Sequence, residues 1–274
     1  MIGIGTSISK GQVINDPSSI SDLVVWYDFT NTGSLRKNRD GTTAVTTNND
    51  VVHWAQNLAN GDANGILGNF IRSEADGSQY GGIFKTGGIN GQSYLQFAET
   101  DSDNSHGLRS GFIAADATDD GGVASDKFSD VSFNVSDLTI IQVLKHDDTV
   151  IEEDDNAFES NVTNDTLDAS IHAMVMRSTP GANNMTLQVD GVVQTDTDTP
   201  DDRTMKFDRS TGVTTNLAGA ALLSIGGNFT GGANLTKSWR GAIYETIIYS
   251  RFITDEELAS LEVYFAGKYG ITFS

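Results

Sequence analysis

Ala242–Tyr249 reads AIYETIIY, and after a short link Thr254-Asp255-Glu256-Glu257 leads into Leu258, Leu261, Tyr264 and Phe265. The first run is apolar at neighbouring as well as alternate positions, the pattern of a strand covered on two faces. The second has the capping-box form. The Thr254 hydroxyl can accept the amide three residues on, and Glu257 can reach back to the Thr254 amide. Acids at this end also suit the positive pole of a helix. The apolar residues that follow repeat at helical spacing, and Gly270 can take the left-handed conformation that ends a helix, with Ile271 placed for the contact beyond it. The pattern predicts one strand followed by one amphipathic helix over about 255–269.

Outward from this block, the rest of the chain reads as strands. Leu23–Phe29 (LVVWYDF) puts Leu23, Val25, Tyr27 and Phe29 on one face. Val51–Ala55 and Ser93–Ala98 are shorter candidates, the second with Leu95 and Phe97 on one side. Leu138–Leu144 is apolar on both faces, and Ile171–Met176 is similar. Met185, Leu187 and Val189 alternate with Thr186, Gln188 and Asp190, and Asp190-Gly191 supplies the positive φ angles of a two-residue hairpin turn before Val192 and Val193. Leu222–Ile225 is a further strand, closed by Gly226-Gly227. Asn31–Asp50 and Glu99–Asp137 read as loops, and residues 1–22 as a polar arm ahead of a single domain at 23–274.

Composition agrees with this layout. The chain has 274 residues, 37 Asp and Glu against 17 Lys and Arg, a net charge of −20, 29 glycines and no cysteine. Of the acids, 28 are Asp and 9 are Glu, which favours turns over helix interiors. A charge of this sign argues against nucleic acid as a partner, because phosphate binding rests on clustered Lys and Arg. Without cysteine there is neither a disulfide framework nor a thiolate metal site. No apolar run approaches the roughly 18 residues that span a bilayer, so no membrane partner is expected. Met1–Lys10 lacks the basic and apolar regions of a secretory signal.

The C-terminal block resembles a known family. Ser224-Ile225-Gly226-Gly227, then Trp239-Arg240-Gly241-Ala242-Ile243-Tyr244-Glu245-Thr246-Ile247-Ile248-Tyr249-Ser250-Arg251, then Tyr264-Phe265-Ala266-Gly267-Lys268-Tyr269-Gly270-Ile271, is similar to the concanavalin A-like lectin/glucanase superfamily in its LamG-like branch. Val25-Trp26-Tyr27-Asp28, Val51 to Trp54, Tyr94-Leu95-Gln96-Phe97 and Met185 to Val192 follow the same pattern in the same order. The resemblance implies an all-β fold: a two-sheet antiparallel β-sandwich, or jelly roll, with one C-terminal α-helix. That superfamily contains lectins, carbohydrate-binding modules, glucanases and structural proteins of tailed-phage particles, so the fold leaves the function open.

The enzyme branch of the family implies an acid run, E-x-D-x-x-E or E-x-D-x-E, on an apolar strand. A retaining glucanase needs two carboxylates about 5.5 Å apart. The nearest match is Glu152-Glu153-Asp154-Asp155-Asn156-Ala157-Phe158-Glu159, where Phe158 stands in place of the last acid. A solvated acidic loop is the plainer account, and no catalytic residue is assigned. For calcium the candidates are Asp101 and Asp103, then Asp154 and Asp155, although Asp101 opens no EF-type loop because His106 occupies the glycine position. No other cofactor is expected. His53, His106, His146 and His172 share no metal spacing, and Trp26, Trp54 and Trp239 fit packing roles. Glu245, inside an apolar strand, reads as a structural carboxylate held by Arg240, Arg251 or backbone amides. No ligand-binding residue can be picked out.

These features point to a non-enzymatic virion structural protein of a tailed phage, a capsid decoration, head-surface protein or tail knob. It would hold other virion proteins through residues 1–22 and could take a surface glycan or self-associate, assembling in the host cytoplasm. The alternatives are a carbohydrate-binding or adhesion module, placed extracellularly, and a glucanase-like glycoside hydrolase.

Overall fold

The computed structural model describes residues 16–37, 42–52, 54–60, 66–67, 82–97, 108–109, 137–146, 170–178, 185–193, 224–230, 234–238 and 241–274. In chain order the strands are β1 (Leu23–Asp28), β2 (Leu35–Arg36), β3 (Val51–Val52), β4 (Trp54–Gln56), β5 (Ile66–Leu67), β6 (Gly82–Lys85), β7 (Tyr94–Phe97) and β8 (Leu108–Arg109). They continue as β9 (Leu138–His146), β10 (Ile171–Ser178), β11 (Met185–Val189), β12 (Val192–Val193), β13 (Ser224–Ile225), β14 (Gly227–Thr230), β15 (Asn234–Ser238) and β16 (Gly241–Tyr249). One α-helix, α1 (Asp255–Tyr269), follows.

Nine strands form one large antiparallel sheet, in the order β12-β11-β10-β9-β16-β7-β6-β3, with β1 also on β16. β16 is its centre. β9 pairs with it from Gly241 to Tyr249. Its other edge is shared, β7 taking Gly241–Ile243 and β1 taking Glu245–Tyr249. All nine residues of β16 are buried, as its two-sided apolar pattern predicts. The smaller sheet β2-β4-β5 and the pairs β8-β13 and β14-β15 complete the strands. The fold is all-β with a single C-terminal helix.

The large sheet is covered twice. On one face Val25, Tyr27, Phe29, Phe84, Leu95, Phe97, Leu144 and Ile243 pack with Leu35 of β2 and Ala55 of β4. On the other, Ile141, Val143, Val175, Tyr244, Ile247 and Tyr249 pack against Leu258, Leu261, Phe265 and Tyr269 of α1. The helix forms as the sequence requires. Thr254 and Glu257 make the reciprocal capping box, and Gly270 ends the helix at φ 76°. Ile271 is buried beyond it. The Asp190-Gly191 turn also forms, with φ 51° and 85° between Val189 and its partner Val192.

Several readings change. Val51–Ala55 divides into β3 of the large sheet and β4 of the smaller one, and Glu99–Asp137 contains strand β8. Leu23 leaves the face of Val25, Tyr27 and Phe29 and packs on the helix side, because the register of β1 slips between Leu23 and Val25; such a slip moves a side chain to the opposite face. Asn31–Asp50 is not all loop, since it contains a 3₁₀ turn at Thr32–Ser34 and strand β2. Gly82–Lys85 is a strand that the sequence, with glycine and lysine at its ends, does not announce.

The free edge of β1 is covered by a side chain. Asn57 Oδ1 accepts from the Trp26 amide at 2.9 Å, and Asn57 Nδ2 donates to the Val24 carbonyl at 2.9 Å. One amide thus does the work of a neighbouring strand, which protects an edge from pairing with other chains. Residues 16–22 lie on the helix side. Ile20 joins that core, and the Tyr249 hydroxyl donates to the Pro17 carbonyl at 3.0 Å.

Two glycines should respond oppositely to alanine. Gly241 has φ 150°, and a Cβ there would overlap the Lys145 carbonyl oxygen across the β16–β9 ladder. Gly241→Ala is expected to cost more than about 4 kcal/mol and to abolish soluble folded protein. Gly267 is an exposed helical residue, and a methyl group added there would meet nothing within 4 Å. Gly267→Ala is expected to add about 0.5–1 kcal/mol, read as a rise in the thermal midpoint.

Candidate functional site

The densest cluster of ionisable groups among the described residues lies between β16 and α1. Its position follows from a β-bulge. The β16–β9 register passes from Ile243 opposite Leu144 to Glu245 opposite Val143, leaving Tyr244 as the extra residue. A bulge puts two successive side chains on one face, so Tyr244 and Glu245 both point to the helix. Asp28 of β1 is the cross-strand partner of Glu245. On α1, Tyr264 and Lys268 are four residues apart and therefore adjacent on the helix surface.

Lys268 joins the two acids. Its Nζ donates to Asp28 Oδ2 at 2.8 Å, Glu245 Oε1 at 2.9 Å and the Tyr264 hydroxyl at 2.9 Å. It also lies 5.3 and 5.2 Å from the Tyr264 and Tyr269 ring centroids. Glu245 Oε1 accepts twice more, from Tyr264 at 2.8 Å and from Trp26 Nε1 at 3.1 Å. Asp28 Oδ1 is held locally by the Thr30 amide at 3.0 Å and the Thr30 hydroxyl at 2.6 Å.

Glu245 is fully buried. Burial pushes its carboxyl above the usual range; Lys268 pulls it back and Asp28 adds to the rise. Burial likewise raises the Tyr264 and Tyr269 hydroxyls, with the charge of Glu245 next in importance. The helix N-terminus carries a second, more open set of charges. Arg251 donates to both Glu257 oxygens at 2.6 and 2.7 Å, and this contact lowers the Glu257 carboxyl. Arg177 donates to Asp255 Oδ1 at 2.6 Å.

Chemically, the inner cluster is built to hold rather than to react. Two carboxylates on neighbouring strands are the raw material of acid–base catalysis at a sugar. Here Lys268 sits between them, and Glu245 is fully buried beneath the helix. The structure corrects the expected partners of Glu245: Trp26, Tyr264 and Lys268 hold it, while Arg251 turns to Glu257 and to Asp22 at 3.1 Å. Arg240 lies outside the described residues. Tyr264 was legible within the apolar repeat of the helix and Lys268 in the Lys268-Tyr269-Gly270 run, but nothing in the sequence tied either to Asp28.

Asp101, Asp103, Asp154 and Asp155, the calcium candidates, lie outside the described residues, as do His53, His106, Trp239 and the acid run Glu152–Glu159. No group of three potential metal ligands occurs among the described residues. His146 is buried on β9. His172 on β10 meets Asp190 at 2.7 Å, beside the hairpin turn. No described helix is long and apolar enough to cross a membrane.

No family model matches the sequence, and no curated protein matches it. Solved structures similar to the chain include the binding domain of botulinum neurotoxin DC in complex with rat synaptotagmin II. That likeness has a TM-score of 0.42 and 7% identity, over 91% of this chain and 52% of that one. The ligand-binding domain of botulinum neurotoxin serotype D, in complex with N-acetylneuraminic acid, gives 0.35 and 8%, over 90% and 51%. Trypanosoma rangeli sialidase in complex with sialic acid gives 0.36 and 12%, over 93% and 34%. The chain thus spans about half of the toxin domains' chains and a third of the sialidase. At these scores no activity carries over. The fold by itself defines an antiparallel β protein whose main sheet is backed by a C-terminal helix.

Replacing Lys268 tests how the cluster is held. Lys268→Met leaves Asp28 and Glu245 facing each other without a cation. The expected cost is about 3–5 kcal/mol, seen as a fall in the urea midpoint with the slope unchanged.

Proposed function

We propose that this protein is a non-enzymatic binding β-sandwich, a carbohydrate-binding or adhesion module. The observation that carries the reading is the Asp28–Lys268–Glu245 bridge. The cross-strand acid pair of β1 and β16 is taken up in docking α1 through Lys268, with Glu245 fully buried. The resemblance of the C-terminal block to the concanavalin A-like superfamily supports a lectin-like scaffold. The Asp-, Asn-, Ser- and Thr-rich stretches of the sequence supply the carboxylate, amide and hydroxyl groups that bind sugar hydroxyls. The net charge of −20 repels anionic ligands, so a neutral glycan fits better than a sialylated one.

The second reading, a tailed-phage virion protein anchored through residues 1–22, rests on the same sequence resemblance. It differs in its partner, another virion protein in place of a glycan.

A glycan array with the purified full chain tests the proposal, with neutral and sialylated sugars side by side and product analysis on every glycan bound. The expected result is saturable binding to a class of neutral glycans with no cleavage. Absence of binding to any glycan, or release of a shortened sugar, overturns it.

A further inference from the structure

The two carboxylates that share Lys268 are not equally provided for. Asp28 has both oxygens satisfied: Oδ1 accepts the amide and hydroxyl of Thr30, and Oδ2 accepts Lys268. Glu245 has three donors on Oε1, yet its Oε2 is buried without a hydrogen-bond partner. The Tyr269 hydroxyl, raised by burial and then by the charge of Glu245, lies beside the same carboxyl but makes no well-formed hydrogen bond to it. An unmatched carboxylate oxygen in the interior is costly. Two such charges beside one ammonium leave the pocket one negative charge in excess, where the surroundings screen charge poorly.

We propose that Glu245 is held as the neutral acid in the folded protein, with its proton on Oε2, and that Asp28 alone forms the ion pair with Lys268. One proton cancels the excess charge, and it makes Oε2 a hydrogen-bond donor where the bare carboxylate oxygen could only accept. Oε1 continues to accept from Trp26, Tyr264 and Lys268. The other groups facing Glu245 are Asp28 from β1 and Lys268, Tyr264 and Tyr269 from α1; Tyr249 lies further along its own strand. The bridge is therefore a latch sensitive to alkali. Loss of the proton puts a second negative charge beneath α1 and weakens its hold on the sheet.

The sign of the effect is fixed. Unfolding returns Glu245 to the ordinary value of 4.5. If the folded state keeps the proton, the stability it confers is complete below that pH and declines as pH rises towards the folded value. Glu245→Gln is the matched variant, because it is uncharged, keeps the shape of the acid and leaves one oxygen for the three donors. Urea unfolding of the full chain and of this variant is compared from pH 5 to pH 7. The unfolding constant of the parent, relative to Glu245→Gln, is expected to rise about tenfold per pH unit. Asp28→Asn, which removes the charge paired with Lys268, should lower the urea midpoint, whereas Glu245→Gln at pH 7 should not. Carboxyl ¹³C NMR supplies the direct readout, with the Glu245 signal assigned by its loss in the variant. An acid-form signal at pH 7 supports the proposal. A carboxylate-form signal, or a flat or falling ratio between pH 5 and 7, overturns it.

Discussion

β16 runs down the middle of the large sheet with neighbours on both edges and apolar side chains on both faces. Such a strand is stable only if something covers each face. On one side the smaller sheet does so, and on the other α1 does. Each remaining feature of the helix side serves that contact. The capping box starts the helix where the chain leaves the sheet, and Thr139 holds the link, accepting from the Ile253 amide and donating to the Arg251 carbonyl. Residues 16–22 close the flank.

Apolar burial has no direction, and it would tolerate a helix shifted along the sheet. The charged cluster is directional. Lys268 meets Asp28 and Glu245 only when the last turn of α1 stands over the junction of β1 and β16. Buried ion pairs seldom add net stability over apolar replacements, and their clearest use is to fix one arrangement. The bulge at Tyr244–Glu245 makes that use available, since without the extra residue Glu245 would point to the opposite face. A local irregularity in one strand thereby sets the seat of the helix.

This geometry also bears on function. Jelly-roll-like scaffolds can bind sugars or hydrolyse them, and the difference lies in whether paired acids are open to substrate. In this chain an adjacent pair of acids is occupied by a lysine and lies under a helix. The net charge of −20 disfavours anionic partners.

The sequence by itself determined the elements whose signals are local. The α1 capping box and its terminal glycine depend on residues a few positions apart, and so does the Asp190-Gly191 turn. The two-sided apolar pattern of β9 and β16 announced central strands for the same reason. Only the tertiary structure decided which partners Glu245 would have. Asp28 is 217 positions away in the sequence, and a bulge moved the side chain to the helix face. Leu23 changed faces through a register slip of the same kind. Bulges arise from the fit between strands distant in sequence, and no window along one strand contains that information.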